Sequence, residues 1–98
     1  MRINRKLTKL IAGRKVGSIE HNDNLLQISF QDGSSMKVKT AMSEPILKLP
    51  SSAVKMTRQK DNVLNIVFAD DSSVEIKLAE VGSSVMLRDA KSIMEYAD

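Results

Sequence analysis

Histidine occurs once in this chain, at His21 in the run His21-Asn22-Asp23-Asn24, and cysteine does not occur at all. Thiol nucleophiles, thiolate metal sites and disulfides are therefore excluded, and the absence fits an intracellular, cytoplasmic setting. A serine nucleophile would need His21 beside it and a carboxylate behind the imidazole, yet no serine sits in a nucleophile elbow. One histidine and scattered aspartates also lack the ligand spacing of a zinc site, and Asp70-Asp71 lacks the alternating oxygens of a calcium loop. The run Gly13 to Ser18 (GRKVGS) lacks the spacer and the Gly-Lys-Ser/Thr ending of a phosphate loop. No catalytic residue, metal ligand or cofactor site is expected, and the protein reads as a non-enzyme.

Charge is the remaining chemistry. The formal net charge is +3, but residues 1–19 carry Arg2, Arg5, Lys6, Lys9, Arg14 and Lys15 with no acid, while the rest holds nine basic and twelve acidic side chains. A basic arm on a mildly acidic body could contact phosphates, with strongly salt-dependent association. It could equally be the solvated face of a short helix, the ordinary use of charge on an amphipathic segment. Aromatic support for single-stranded nucleic acid is thin, because Phe30 and Phe68 fall on apolar faces and Tyr96 lies near the end of the sequence.

The elements that position these groups announce themselves by repetition. Asp23 to Ala41 (DNLLQISFQDGSSMKVKTA) aligns without a gap on Asp61 to Ala79 (DNVLNIVFADDSSVEIKLA), with ten of nineteen residues identical at an offset of thirty-eight. Such a duplication describes architecture, since each copy is a supersecondary unit whose apolar face needs a neighbour. Ninety-eight residues suffice for one domain with a core of its own. The organisation expected is a single domain over 1–98, with repeats at 16–41 and 54–79 and a Pro-containing connector at 42–53.

Within each copy apolar residues alternate. Leu26, Ile28 and Phe30 share one strand face, followed by Met36 and Val38; Leu64, Ile66 and Phe68 do the same, followed by Val74, Ile76 and Leu78. Weaker strands precede each pair, near Val16–His21 and Val54–Lys60, so each copy reads as a three-stranded antiparallel meander. A two-residue Asp32-Gly33 turn would set Ser29 opposite Met36. A three-residue loop with left-handed Gly33 at a bulge instead sets Ile28 opposite Met36 and Leu26 opposite Val38, which keeps the apolar set on one face. Asp71 takes the glycine position in the second copy. The four Ser-Ser pairs fall at turns or caps, where their hydroxyls satisfy loose backbone amides.

Outside the repeats, Asn4–Ala12 places Leu7, Leu10 and Ile11 on one helical face, with Asn4 as N-cap and Gly13 as the stop. After Gly82, a serine cap at Ser83 or Ser84 and a stripe of Met86, Ala90, Ile93, Met94 and Ala97 predict a C-terminal helix. The fold class expected is thus α+β: two meanders forming one six-stranded sheet or a small barrel, with an N-terminal and a C-terminal helix packed on it. The longest apolar run, Ile66 to Ala69, is far short of the roughly 20 residues that cross a bilayer, so no membrane role is expected.

The function expected from these features is that of a small protein-binding or adaptor module that self-associates, most simply as a homodimer. The outer face of the first copy carries Gln27, Ser29, Lys37 and Lys39, whereas the second copy places Val63 and Val67 outside beside Asn65. With Met86 and Met94 the two valines form the candidate self-association set. The alternative is a nucleic-acid-binding protein whose phosphate contacts are Arg2, Arg5, Lys6, Lys9, Arg14 and Lys15.

Overall fold

In a computed structural model, which describes residues 2–41, 48–80 and 84–97, the order of elements follows the change of sequence period from helical to alternating. A two-residue strand β1 (Arg2–Ile3) and one helix α1 (Arg5–Ile11) lead into β2 (Val16–Asn22), β3 (Leu25–Phe30) and β4 (Ser35–Lys39). The second copy supplies β5 (Val54–Lys60), β6 (Val63–Phe68) and β7 (Ser73–Lys77), and the chain finishes with β8 (Val85–Arg88) and β9 (Met94–Ala97). These build two antiparallel sheets, one of order β1-β5-β6-β7 and one of order β2-β3-β4-β8-β9.

The duplicated sequences take duplicated registers. Leu26 faces Val38 and Ile28 faces Met36 in the first copy; Leu64 faces Ile76 and Ile66 faces Val74 in the second. Bulges recur at Gly17 and Lys55, between Val16 and Ser18 and between Val54 and Met56. Gly33 has φ +92° in its three-residue loop and Asp71 has φ +68° at the same place, so the register that keeps apolar residues together also selects the turn. Asp23 and Asp61 enter their turns at φ 52° and 53°. The short polar side chain of aspartate tolerates this left-handed conformation better than most.

The copies meet about an approximate twofold between Thr40 and Leu78. Ala41 N donates to Lys77 O and Ala79 N to Lys39 O, both at 2.9 Å, bonds that exchange partners when thirty-eight is added or subtracted. The inward faces form one apolar cluster that includes Leu26, Ile28, Met36, Leu64, Ile66 and Phe68. Leu7 and Ile11 enter that cluster fully buried, and Leu49, equivalent to Ile11 in the repeat, enters it from the connector. Residues 42–47 of the expected connector lie outside the described residues.

Helix α1 is held at both ends. The Asn4 carboxamide oxygen accepts from Leu7 N at 3.0 Å, and its Nδ2 donates to Gln59 Oε1 and to Tyr96 Oη. Thr8 Oγ1 accepts from Thr57 N at 2.8 Å, which fastens the helix to β5. Seven residues could not stay helical alone; burial of Leu7 and Ile11 stabilises them there. First-turn cations oppose the helix dipole without preventing this.

The expected fold class is corrected at the end of the chain. Residues 85–97 form no helix: they are the hairpin β8–β9, and β8 pairs with β4, Met36 against Leu87 and Val38 against Val85. The protein is mostly β, with nine strands in two sheets and a single short helix among the described residues, in place of two helices on a six-stranded sheet or barrel. The physical reason lies in which residues reach the core. A helix would bury Met86, Ala90, Ile93, Met94 and Ala97, leaving Val85, Leu87 and Tyr96 off the stripe. The hairpin buries Val85, Leu87 and Tyr96 and satisfies the backbone of β4 along its otherwise bare edge. The proposed Ser83 cap lies outside the described residues; Ser84 is buried and its Oγ donates to Glu80 O at 2.6 Å, guiding the chain into β8.

Candidate interaction surface

The six cations of the arm differ in their surroundings. Arg14 is the most enclosed, its side chain 18% exposed: Nε lies 3.4 Å from Asp32 Oδ2, Nη1 donates to Ser34 Oγ at 3.0 Å, and Nη2 reaches Glu95 Oε1 at 3.2 Å. It joins the end of the arm, the β3–β4 turn and β9. Lys6 Nζ sits 5.9 Å from the centre of the Tyr96 ring, within range of a cation–π contact. Arg2, Arg5, Lys9 and Lys15 are exposed.

The carboxylate beside Arg14 belongs to a turn device that recurs. Asp32 Oδ1 accepts from Ser34 N at 2.9 Å and from the Ser34 hydroxyl; Asp70 accepts in the same way from Ser72. Those serine hydroxyls, then the serine amides, hold both carboxyls below the usual carboxylate range, and the Arg14 guanidinium adds to the effect at Asp32. Ser52, the repeat equivalent of Arg14, hydrogen-bonds Asp70. The pattern fixes turns and offers no open coordination site. His21 is half-buried with Nε2 3.0 Å from Thr40 Oγ1, and no group of three or more His, Asp or Glu among the described residues is placed to hold a metal ion.

The outer faces of the two copies differ as their sequences suggest, but the outward valines of the second copy are covered within the chain. Val67 is 7% exposed and Asn65 2%, while Val63 is half-buried. Arg58 spans this face, donating from Nε and Nη2 to Asn65 Oδ1 at 3.1 and 2.8 Å. Val67 therefore presents no surface to a second molecule.

Apolar surface is instead exposed on the five-stranded sheet. Register places Met86 opposite Ala97 and Arg88 opposite Met94, all on the face away from Leu87 and Tyr96. Ile93 at the hairpin tip is 61% exposed, Met94 46%, Ala90 and Ala97 are exposed, and Met86 is half-buried. The residues of the expected helical stripe are thus gathered on one face or at its tip, and that face looks outward. Beside them run Lys37, which pairs with Met86, then Lys39 and Arg88; the acid of β9, Glu95 at the bulge, is engaged with Arg14. Asp89 at the tip is taken up by the turn, accepting from Lys91 N and Ile93 N at 2.9 Å.

This surface was hidden by periodicity, since Met86, Ala90, Ile93, Met94 and Ala97 fit a helical spacing. A signal for the hairpin was nonetheless present: Asp89-Ala-Lys-Ser92 repeats the Asp-x-x-Ser spacing of Asp32–Ser35 and Asp70–Ser73, which mark the β3–β4 and β6–β7 turns. No protein-family model, curated protein or solved structure matches this chain.

Proposed function

We propose that this protein is a non-enzymatic binding module, an adaptor that receives a segment of another protein on the outer face of the β8–β9 hairpin. The observation that carries this reading is the exposure of Ile93 and Met94 beside half-buried Met86, on a sheet face whose other side chains are mostly polar, Leu25 on β3 and Ala97 on β9 being the apolar ones. Contiguous exposed apolar side chains rimmed by polar ones are a mark of interaction sites, and methionine adapts to varied partners. The cationic rim of Lys37, Lys39 and Arg88 sets the chemistry of the partner: aliphatic or aromatic side chains accompanied by carboxylates. No helix among the described residues is long and apolar enough to cross a membrane.

The nucleic-acid reading has less support. Arg14 is engaged with Asp32 and Glu95, and exposed Lys6 lies over Tyr96, which leaves Arg2, Arg5, Lys9 and Lys15 as the exposed cations outside these contacts. Phe30, Phe68 and Tyr96 are all buried, so none forms a platform for bases.

The test is selection of peptides from a random display library on the immobilised protein. Enriched peptides should combine apolar and acidic residues, and should bind the variant carrying Ile93→Ser and Met94→Glu at least about tenfold more weakly. Both positions are exposed, so folding should change by no more than about 0.5 kcal/mol. Peptides that bind parent and variant equally would overturn the reading. So would salt-dependent binding of mixed-sequence nucleic acid that is abolished by glutamine at Arg2, Arg5 and Lys9.

A further inference from the structure

The apolar stripe of the β8–β9 hairpin lies on a sheet face, and a face offers a partner side chains rather than backbone. Strand β8 sits between β4 and β9, so its N–H and C=O groups are paired on both sides. A segment that covers Met86, Met94 and Ala97 finds no ladder bonds there. In extended form it would turn unpaired amides and carbonyls toward an apolar surface, whereas a helix satisfies its backbone internally. The stripe also has the dimensions of a helix. Met86 and Ala97 lie opposite one another, Met94 lies opposite Arg88 two positions on, and Ile93 follows at the tip. That run is about 10 Å, or roughly two helical turns. Within the chain, α1 is kept helical by contacts of the same kind, through Leu7 and Ile11 one turn apart.

Exposed cations flank this stripe on the β4 side. Lys37 pairs with Met86, and Lys39 lies two positions further along the same face of β4. Both lysines are exposed, and neither forms an ion pair among the described residues. Arg88 is tied into the hairpin, donating from Nη1 to Ser92 O at 3.0 Å and from Nη2 to Met86 Sδ at 3.9 Å. On the other side, the outward strand residues of β9 are Met94 and Ala97, and Glu95 is held by Arg14. Residues two apart on a strand face stand about 7 Å from each other, close to the separation of about 5 to 6 Å between residues one turn apart on a helix. Carboxylates at i and i+4 would therefore meet Lys37 and Lys39 together.

We propose that the partner segment is an amphipathic helix, acidic along one flank, laid along β8 with its apolar residues on Met86, Ile93, Met94 and Ala97 and its carboxylates on Lys37 and Lys39. This rests on the hairpin face being the binding surface, and adds the partner's conformation and the side on which its charge lies. Helix-on-surface recognition places apolar anchors at i, i+3 or i+4, and i+7, which is the spacing the stripe accepts. A segment of that length is largely unfolded in water and becomes helical on docking.

Two synthetic peptides of identical composition, each about 15 residues long, test this. One carries Leu at helical spacing with Glu along one flank; the other carries the same residues in strict alternation. The first should bind at least about tenfold more tightly and gain helical circular dichroism on binding. Lys37→Glu with Lys39→Glu should weaken it about tenfold, and the same peptide with Lys in place of Glu should bind that variant in preference to the parent. Both lysines are exposed, so thermal unfolding should change little. Equal or tighter binding of the alternating peptide, binding without a gain in helicity, or binding of neither peptide overturns the proposal. If display-selected peptides then still bind through Ile93 and Met94, the hairpin remains the binding surface and only the helical partner is lost. Peptides that all ignore Ile93→Ser and Met94→Glu remove both.

Discussion

Arg14 shows how far a residue's chemistry depends on its neighbours. In the sequence it is one cation among six; in the fold it touches Asp32, Ser34 and Glu95 and ties the arm to two hairpins. Its partners lie eighteen, twenty and eighty-one positions away, so nothing local could reveal the role. Loss of a charged hydrogen-bonding group of this kind costs about 1 to 3 kcal/mol, and Arg14→Gln should lower stability within that range in urea titration. The turn carboxylates add a pH dependence. The folded state holds Asp32 and Asp70 below their ordinary value of 3.8, so the unfolded chain binds more protons in acid. Their contribution is complete above that ordinary value and disappears as pH falls through the lowered folded-state values. Stability measured by urea titration should therefore fall less steeply below about pH 4 in the Asp32→Asn, Asp70→Asn double variant than in the parent.

At the scale of elements, alternation identified β3, β4, β6 and β7 because each has one face in the core and one outside, and the same logic selected the three-residue turn with left-handed Gly33. It failed at residues 85–97, where two periods compete in one stretch. Val85 and Leu87 alternate with Met86 and Arg88, but outward Met86, Met94 and Ala97 are also apolar and, with Ala90 and Ile93, recur at helical spacing. Binary pattern assumes a polar outer face, and a hairpin that exposes Met86, Ile93 and Met94 breaks that assumption at the place where binding is proposed. The two hairpins are coupled at their tips. A Cβ built on Gly33 would lie 3.1 Å from the Ala90 Cβ, in addition to the cost of a side chain at φ +92°. Gly33→Ala should thus destabilise by more than about 1 kcal/mol, and Ala90→Gly added to it should recover the contact share but not the backbone share. Strict additivity of the two substitutions in a double-mutant cycle would show that the tips do not touch.

Over the whole molecule the duplication yields two meanders with matching registers, and the segments outside them make the halves unequal. Helix α1 and β1 are spent on β5, and the β8–β9 hairpin on β4. Function is placed here in that inequality, in what each half exposes that the other covers. The measurement that tests it most directly is a titration of isotopically labelled protein with an acidic, apolar peptide taken from display selection, followed by amide chemical shifts. Shifts are predicted to concentrate at Lys37, Met86, Arg88, Ile93, Met94 and Ala97 and to leave α1 and β6 unchanged. Shifts centred on Arg2, Arg5 and Lys9, or spread evenly over both sheets, would contradict a binding face on the C-terminal hairpin.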